Sequence, residues 1–296
     1  MQSVFFTRRA ALIAAAGGLL LASQPLVADR ATAAEAARIV SIGGTVTEII
    51  YALDGGTRIA AVDTTSLYPP EAQEKPNIGY VRQISAEGVL SQKPDLIIAE
   101  SGAGPVDSIA ILKASGLPFV SIPSPPEIDA IPAKIRAVGE AIGRQSEAGA
   151  LADKVASELT AIAAKNAAIS GPRKKVLFAL SLANGRVMAA GSQTSADAMI
   201  NLAGGENAVQ SISGYKPLTD EAVIAAAPDV VLVMNGGGTH LTKEQAFALP
   251  ALAATPAGRN GAFIAMDGLM LLGLGPRASE AAAELHAKLY DGHATP

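Results

Sequence analysis

The sequence predicts an α/β protein of two Rossmann-like lobes, each a parallel sheet flanked by helices, joined by a long helical connector with a ligand cleft between the lobes. Three observations lead there. Short apolar runs bounded by turn residues alternate with helix-length stretches, the pattern of parallel strands with helical crossovers. Two motifs recur in the same order in both halves of the chain. Between the halves lies a stretch with helical periodicity and no strand character.

The repeats are specific. Ser85 to Gly102 aligns without a gap with Thr219 to Gly236, so that Glu87 falls on Glu221, Pro94 on Pro228, Asp95 on Asp229 and Gly102 on Gly236. More loosely, Thr45 to Gly56 matches Thr194 to Gly205, with a threonine, an acid, a leucine and a Gly-Gly pair in common. The period is far too long for a solenoid. It marks two related lobes, and two lobes make a cleft.

Residues 1–34 read as an export signal. Arg8-Arg9 precede the apolar run Ala10 to Ala22, and Ala31-Thr32-Ala33 offers small residues for cleavage. The run is too short for a bilayer span of about 20 residues. Its paired arginines leave a twin-arginine and an ordinary Sec signal both open.

Residues 35–127 form the first lobe. Arg38 to Ile42 is a strand, Gly43-Gly44 opens a helix with Ile49, Ile50 and Leu53 on its apolar face, and Ile59 to Val62 is the next strand. A loop from Asp63 to Pro76 contains Tyr68-Pro69-Pro70. Another loop then presents Tyr80 and Arg82 ahead of Ser85, a hydroxyl cap with an acid in the following turn. A tyrosine and an arginine on a loop between rigid elements make a candidate ligand site. Leu96 to Ala99 is a buried strand, Val106 to Ser115 a helix and Phe119 to Ile122 a strand.

Residues 128–170 are the connector. Ile128, Ile131, Ile135, Val138 and Ile142 recur at helical spacing, as do Leu151, Val155, Leu159 and Ile162, with Gly143 between the runs and Gly171-Pro172 as the stop. A helical connector predicts small lobe movements, not a wide hinge closure. Residues 171–296 form the second lobe. Its strands are expected at Lys175 to Leu180, Arg186 to Ala190, Val230 to Val233 and Phe263 to Met266. Helices start near Ser195, Thr219 and Arg277, and a glycine loop runs from Asn235 to His240.

Composition narrows the function. The chain is 49% hydrophobic with a net charge of −4 and no cysteine. Removing residues 1–34 takes away Arg8, Arg9 and Arg30 against only Asp29, so the remainder is more acidic and ill suited to a phosphate backbone. No nucleic-acid partner is expected. The lack of cysteine excludes disulfides, zinc–thiolate and iron–sulfur sites, a cysteine nucleophile and lipoprotein acylation. No other segment is long and apolar enough to span a bilayer, so a soluble, monomeric periplasmic protein is expected. The sequence has no Gly-x-Ser-x-Gly elbow, no His-Glu-x-x-His and no P-loop, and Asp95 and Asp229, each ahead of a strand, read as capping or turn chemistry. No enzymatic activity is expected.

An exported, cysteine-free, two-lobed chain with a helical connector resembles the periplasmic substrate-binding proteins of the rigid, helix-linked type, which serve ABC importers for vitamin B12, siderophores and haem. Tyr68-Pro-Pro-Glu-Ala-Gln73, the Pro-Asp-Leu-Ile-Ile run and Gly204-Gly205-Glu-Asn207 are shared across that group. Three segments are similar to its haem-binding members, the HmuT, ShuT and PhuT type. They are Gly79-Tyr80-x-Arg82-x-x-Ser85-Ala-Glu-Gly88, Thr194-x-Ala-Asp-Ala-Met-Ile200 and Leu272-Gly-x-Gly-Pro-Arg277.

The resemblance implies haem as the carried ligand, Tyr80 as the axial ligand to its iron, and an inner-membrane ABC permease dimer with its ATPase subunits as the partner. A ferric siderophore or a corrinoid is the alternative cargo. Tyrosinate oxygen suits ferric iron. A free phenol ionises only near pH ~10, so ligation at neutral pH needs the metal and a nearby cation, which Arg82 could supply. Arg277 could reach a haem propionate, or pair with Glu280 or Asp267. Tyr215, Met270, Leu271 and Leu272 could line the faces of the macrocycle or belong to the core. His240 would face the cleft if the repeat geometry holds. Ser181 to Asn184, near which some haem-binding relatives carry a histidine, has none here. Glu87 and Glu221 would each dock one lobe on one permease subunit; alternatively they stabilise their own helices through the helix dipole.

Overall fold

The computed structural model describes residues 36–290 apart from residues 168, 184, 237 and 238. The export signal at 1–34 and His293 lie outside the described residues.

The first lobe runs β1 (Ile39–Ile42), α1 (Gly44–Ala52), β2 (Ile59–Val62), α2 (Ala86–Leu90), β3 (Leu96–Glu100), α3 (Val106–Ala114) and β4 (Phe119–Ile122). Its sheet has the order β2-β1-β3-β4, and every pairing is parallel. β1 is buried throughout and β3 in all but its last residue, which is why both read as unbroken apolar runs. Asp95, just before β3, accepts from the backbone N–H of Ala37 and Arg38, both at 3.1 Å, and so fixes the start of the neighbouring strand. Asp229 does the same in the second lobe, accepting from Lys175 N at 2.8 Å. Both carboxylates are structural, but they brace the start of the neighbouring strand instead of capping a helix or closing a turn.

The connector is α4 (Ile131–Ala141) and α5 (Gln145–Ala167). The second lobe then runs β5 (Lys175–Ala183), β6 (Arg186–Ala190), α6 (Ser195–Leu202), β7 (Glu206–Asn207), β8 (Tyr215–Pro217), α7 (Asp220–Ala226), β9 (Val230–Gly236) and β10 (Thr239–His240). It finishes with α8 (Lys243–Phe247), α9 (Pro250–Ala253), α10 (Pro256–Asn260), β11 (Phe263–Asp267), α11 (Gly268–Leu272) and α12 (Ala278–Tyr290).

This second sheet is mixed. β5 pairs in parallel with β7 and β9, and β9 with β11, while β5–β6, β6–β8 and β9–β10 are antiparallel. For β5–β6 and β9–β10 the reason is connection length: too few residues separate the strands for the helical crossover a parallel pair needs. One consequence corrects the reading of Asn235 to His240 as an open glycine loop. His240 is paired with Asn235 across the β9–β10 ladder.

Three apolar clusters hold the molecule together. One lies in the first lobe around Val40, Ile97 and Leu112, and one in the second around Leu177, Val231 and Leu252. The third is shared, running from Ile39 and Ile49 through Ile135 and Val155 of the connector to Phe178 and Leu285. Strand residues alternate between clusters with the two-residue period of the pleat. Leu96 and Ile98 face the shared core and Ile97 and Ala99 the first-lobe core; Val230 and Leu232 face the shared core and Val231 and Val233 the second-lobe core. Full burial of one such side chain is worth about 1.5–3 kcal/mol. A core continuous through the connector therefore opposes any motion that would open it.

Candidate ligand-binding site

The Tyr80 loop is built to hold two side chains outward. Ile78 and Ile84 are buried and act as its anchors. Ile78 N donates to Val62 O at 3.0 Å and Thr64 N to Gly79 O at 2.9 Å, extending the line of β2. On the other side Ile84 N donates to Gly104 O at 2.8 Å and Gly104 N to Val81 O at 2.9 Å. Gly79, at φ +99°, makes the turn between the anchors, where a side chain would be strained. Tyr80 O closes the loop by accepting from Gln83 N at 2.7 Å. With the backbone so fixed, Tyr80 is 41% exposed and Arg82 is exposed beside it.

Tyr215 lies on β8 of the second lobe and keeps 38% of its surface exposed. Its ring is edge-on to Phe178, with centroids 6.5 Å apart. Burial raises its phenol above the ordinary tyrosine value, and the charge of Arg82 partly opposes that rise. An arginine of one lobe thus lies within electrostatic reach of a tyrosine of the other.

Arg277 is placed differently from either pairing the sequence offered. Neither Glu280 nor Asp267 is its ion-pair partner. Its Nε donates to Glu48 Oε1 at 3.0 Å and its Nη2 to Glu48 Oε2 at 2.9 Å, a two-pronged pair between the lobes. Its guanidinium carbon lies 3.6 Å from the centre of the Tyr68 ring. Burial alone would lower the Arg277 pKa, but the hydrogen bonds and charge of Glu48 outweigh it and the net direction is up. Near this pair, Thr45 Oγ1 donates to Gly273 O at 2.8 Å, and the Lys134 ammonium reaches Gly273 O at 3.3 Å and Leu274 O at 3.2 Å. Lys134 is only 3% exposed; burial lowers its pKa, with Glu100 opposing.

Met270 and Leu272 are half-buried on α11 and pack against the shared core, whereas Leu271 is wholly core. Asp267 caps this short helix, accepting from Met270 N at 2.7 Å. Glu87 and Glu221 are exposed on α2 and α7. Each follows a hydroxyl cap: Ser85 Oγ accepts from Gly88 N and Thr219 Oγ1 from Ala222 N, both at 3.2 Å. Glu221 is held below the usual carboxylate range by its own backbone N–H and then by the Thr219 hydroxyl. His240 is exposed, and His286 Nδ1 lies 3.1 Å from Ala203 O, away from the cleft loops. An open groove of about 580 Å³ between Glu127, Pro132, Leu159 and Leu202 shares no residue with the Tyr80 loop.

Sequence reading missed Glu48, Tyr68 and Lys134 as residues of this region. Two had a signal. Glu48 is the acid that coincides with Asp197 in the looser repeat, and Lys134 interrupts the apolar stripe of the connector between Ile131 and Ile135.

Comparison with known proteins places the fold in a known family. The periplasmic binding protein family model matches residues 39–268. The periplasmic heme-binding protein RhuT from Roseiflexus sp. RS-1, solved in apo form, is 42% identical with a TM-score of 0.81 over 86% of this chain and 98% of that one. The periplasmic heme-binding protein BhuT, solved with two hemes, is 38% identical with a TM-score of 0.80 over the same shares, 86% and 98%. An ABC transporter substrate-binding lipoprotein of Bacillus subtilis, YvrC, is 29% identical over 68% of this chain, and the match spans 65% of that relative's length. The vitamin B12-binding protein of Yersinia pestis (strain Pestoides F) is 27% identical over 73% of this chain and 76% of its own.

Proposed function

The chain belongs to the periplasmic binding protein family, and from that membership we propose that it carries hemin in the cleft between its lobes to an inner-membrane ABC permease and its ATPase subunits. It is a substrate-binding component of transport, not an enzyme. The observation that carries the haem reading is the pinned loop, which holds an exposed tyrosine beside an exposed arginine. The two heme-binding structures at 42% and 38% identity support it.

In this reading Tyr80 gives its phenolate oxygen to the ferric iron of the incoming hemin. Arg82 supplies the positive charge that favours the ionised donor. Tyr215, Met270 and Leu272 present flat or flexible apolar surface to the macrocycle. Arg277, with its Nε and Nη2 taken by Glu48, has its Nη1 edge to offer a propionate. Glu87 and Glu221, at matching places in two pseudo-equivalent lobes, meet cationic patches on a twofold permease, while the carrier itself acts as a monomer. Residues 1–34 export the chain to the periplasm by a Sec or twin-arginine route.

Titration of the purified protein with hemin should give a saturating change in the visible spectrum with a phenolate-to-iron charge-transfer band. A second reading, a corrinoid or ferric siderophore as cargo, draws on the vitamin B12-binding relative. Tighter binding of cyanocobalamin or a ferric siderophore than of hemin would move the assignment there.

A further inference from the structure

One segment of the second lobe, from α11 to Arg277, is held from outside its own lobe at three places. Arg277 is forked onto Glu48 of α1, whose side chain is 4% exposed. Gly273 O accepts from Thr45 at the start of the same helix. Gly273 O and Leu274 O both face the buried ammonium of Lys134 on the connector. The approach is close: a Cβ on Gly273 would sit 2.7 Å from Thr45 Oγ1, and one on Gly44 would sit 2.8 Å from Leu269 Cδ1. The Tyr68 ring, from the loop after β2, covers the face of the Arg277 guanidinium. All of these partners lie in the first lobe or the connector, and the segment they grip begins with the helix that bears Met270 and Leu272.

We propose that Glu48 is a positioning residue for the ligand cleft: by forking Arg277 it locks α11 against the first lobe and fixes the place of the wall that Met270 and Leu272 offer a ligand. This rests on the reading of the cleft as a haem site. A purely structural ion pair would stabilise the fold without altering the cleft, and an Arg277 that served chiefly as a ligand contact would bind better once freed from Glu48. The lock makes a third forecast. A fork and a stacked ring restrict the guanidinium in two directions at once, which a lysine in its place cannot reproduce. Losing the fork should loosen α11 and the residues up to Arg277, and weaken any ligand that needs that wall, with or without carboxylates.

The test uses Glu48→Gln, which keeps the shape and removes the charge, with Arg277→Lys measured in parallel should the first variant not fold. Hydrogen exchange of the ligand-free protein reads the lock directly. The expected result is faster exchange over residues 268–277 with β1 and β3 unchanged. Binding is read with hemin and with hemin dimethyl ester, whose carboxylates are blocked. Both should weaken by a similar factor of roughly ten, within the range for coupled positions. Unchanged exchange over 268–277 overturns the lock. So does tighter binding of hemin with no change for the ester, which makes Arg277 a carboxylate contact that Glu48 merely occupies. If the unaltered protein takes up no hemin, the haem reading fails on its own and the exchange measurement still decides the lock.

Discussion

Thr45 and Glu48 in α1 of the first lobe correspond in the repeat to Thr194 and Asp197 at the start of α6 in the second, and the two pairs are used in opposite directions. In the second lobe both side chains turn inward. Thr194 Oγ1 accepts from Asp197 N at 3.1 Å and donates to Gly191 O at 2.9 Å, capping its own helix. Asp197 accepts from Asn207 Nδ2 at 2.9 Å within the same lobe. In the first lobe the helix has no side-chain cap of its own. Its amino end is served from the loop after β2, where Asp63 Oδ1 accepts from Gly43 N at 2.8 Å and Thr65 Oγ1 from Gly44 N at 2.9 Å. That frees Thr45 and Glu48 to reach across to Gly273 and Arg277. Similar local sequence therefore yields a self-contained helix in one lobe and an inter-lobe contact in the other, and the difference lies in what caps the helix.

The largest effect expected from this contrast is in stability. Glu48→Ala leaves the partly buried Arg277 charge without its partner, a change that costs up to about 3–5 kcal/mol where the charge is fully buried. Asp197→Ala removes hydrogen bonds inside one lobe and should cost about 1–3 kcal/mol. Urea unfolding of the two variants compares them, and an Asp197→Ala loss equal to or larger than that of Glu48→Ala would erase the asymmetry.

Where the lobes are alike, the variants should be alike. Glu87→Ala and Glu221→Ala are each expected to weaken binding to the reconstituted permease several-fold, more together and most at low salt, with hemin affinity intact. Transport by the double variant at the full rate would leave both acids with only a role at their helix ends. Smaller still is the loss of the hydroxyl caps. Ser85→Ala and Thr219→Ala should each lower stability by about 1 kcal/mol, since each side chain accepts one backbone N–H at the same distance. A clear inequality between them, measured by thermal unfolding, would show that the Ser85/Thr219 motif is not equivalent in the two lobes.

What could be read from the sequence follows the same division. Strands such as β1, β3 and β9 are buried on both faces and announce themselves as apolar runs, and the connector shows its helical period because one stripe of it faces the shared core. β7 and β8 gave no such signal. They are two and three residues long, and their pairing with β5 and β6 is decided by tertiary contact. The Tyr80 loop was legible from its motif and its flanking elements. Arg277 was recognised as a residue of interest but not its partner, which lies 229 positions away on an inter-lobe seam that no local pattern encodes.

The central claim is that the cleft binds hemin through an oxygen donor supplied by the first lobe alone. Hemin titration of Tyr80→Phe against the unaltered protein tests it most directly, because the substitution keeps the ring and removes only the donor oxygen. The account predicts loss of the charge-transfer band and an affinity lowered by more than roughly 100-fold, beyond the loss seen when a mere outer-shell partner of a metal ligand is removed. An unchanged band and affinity in the phenylalanine variant would contradict it.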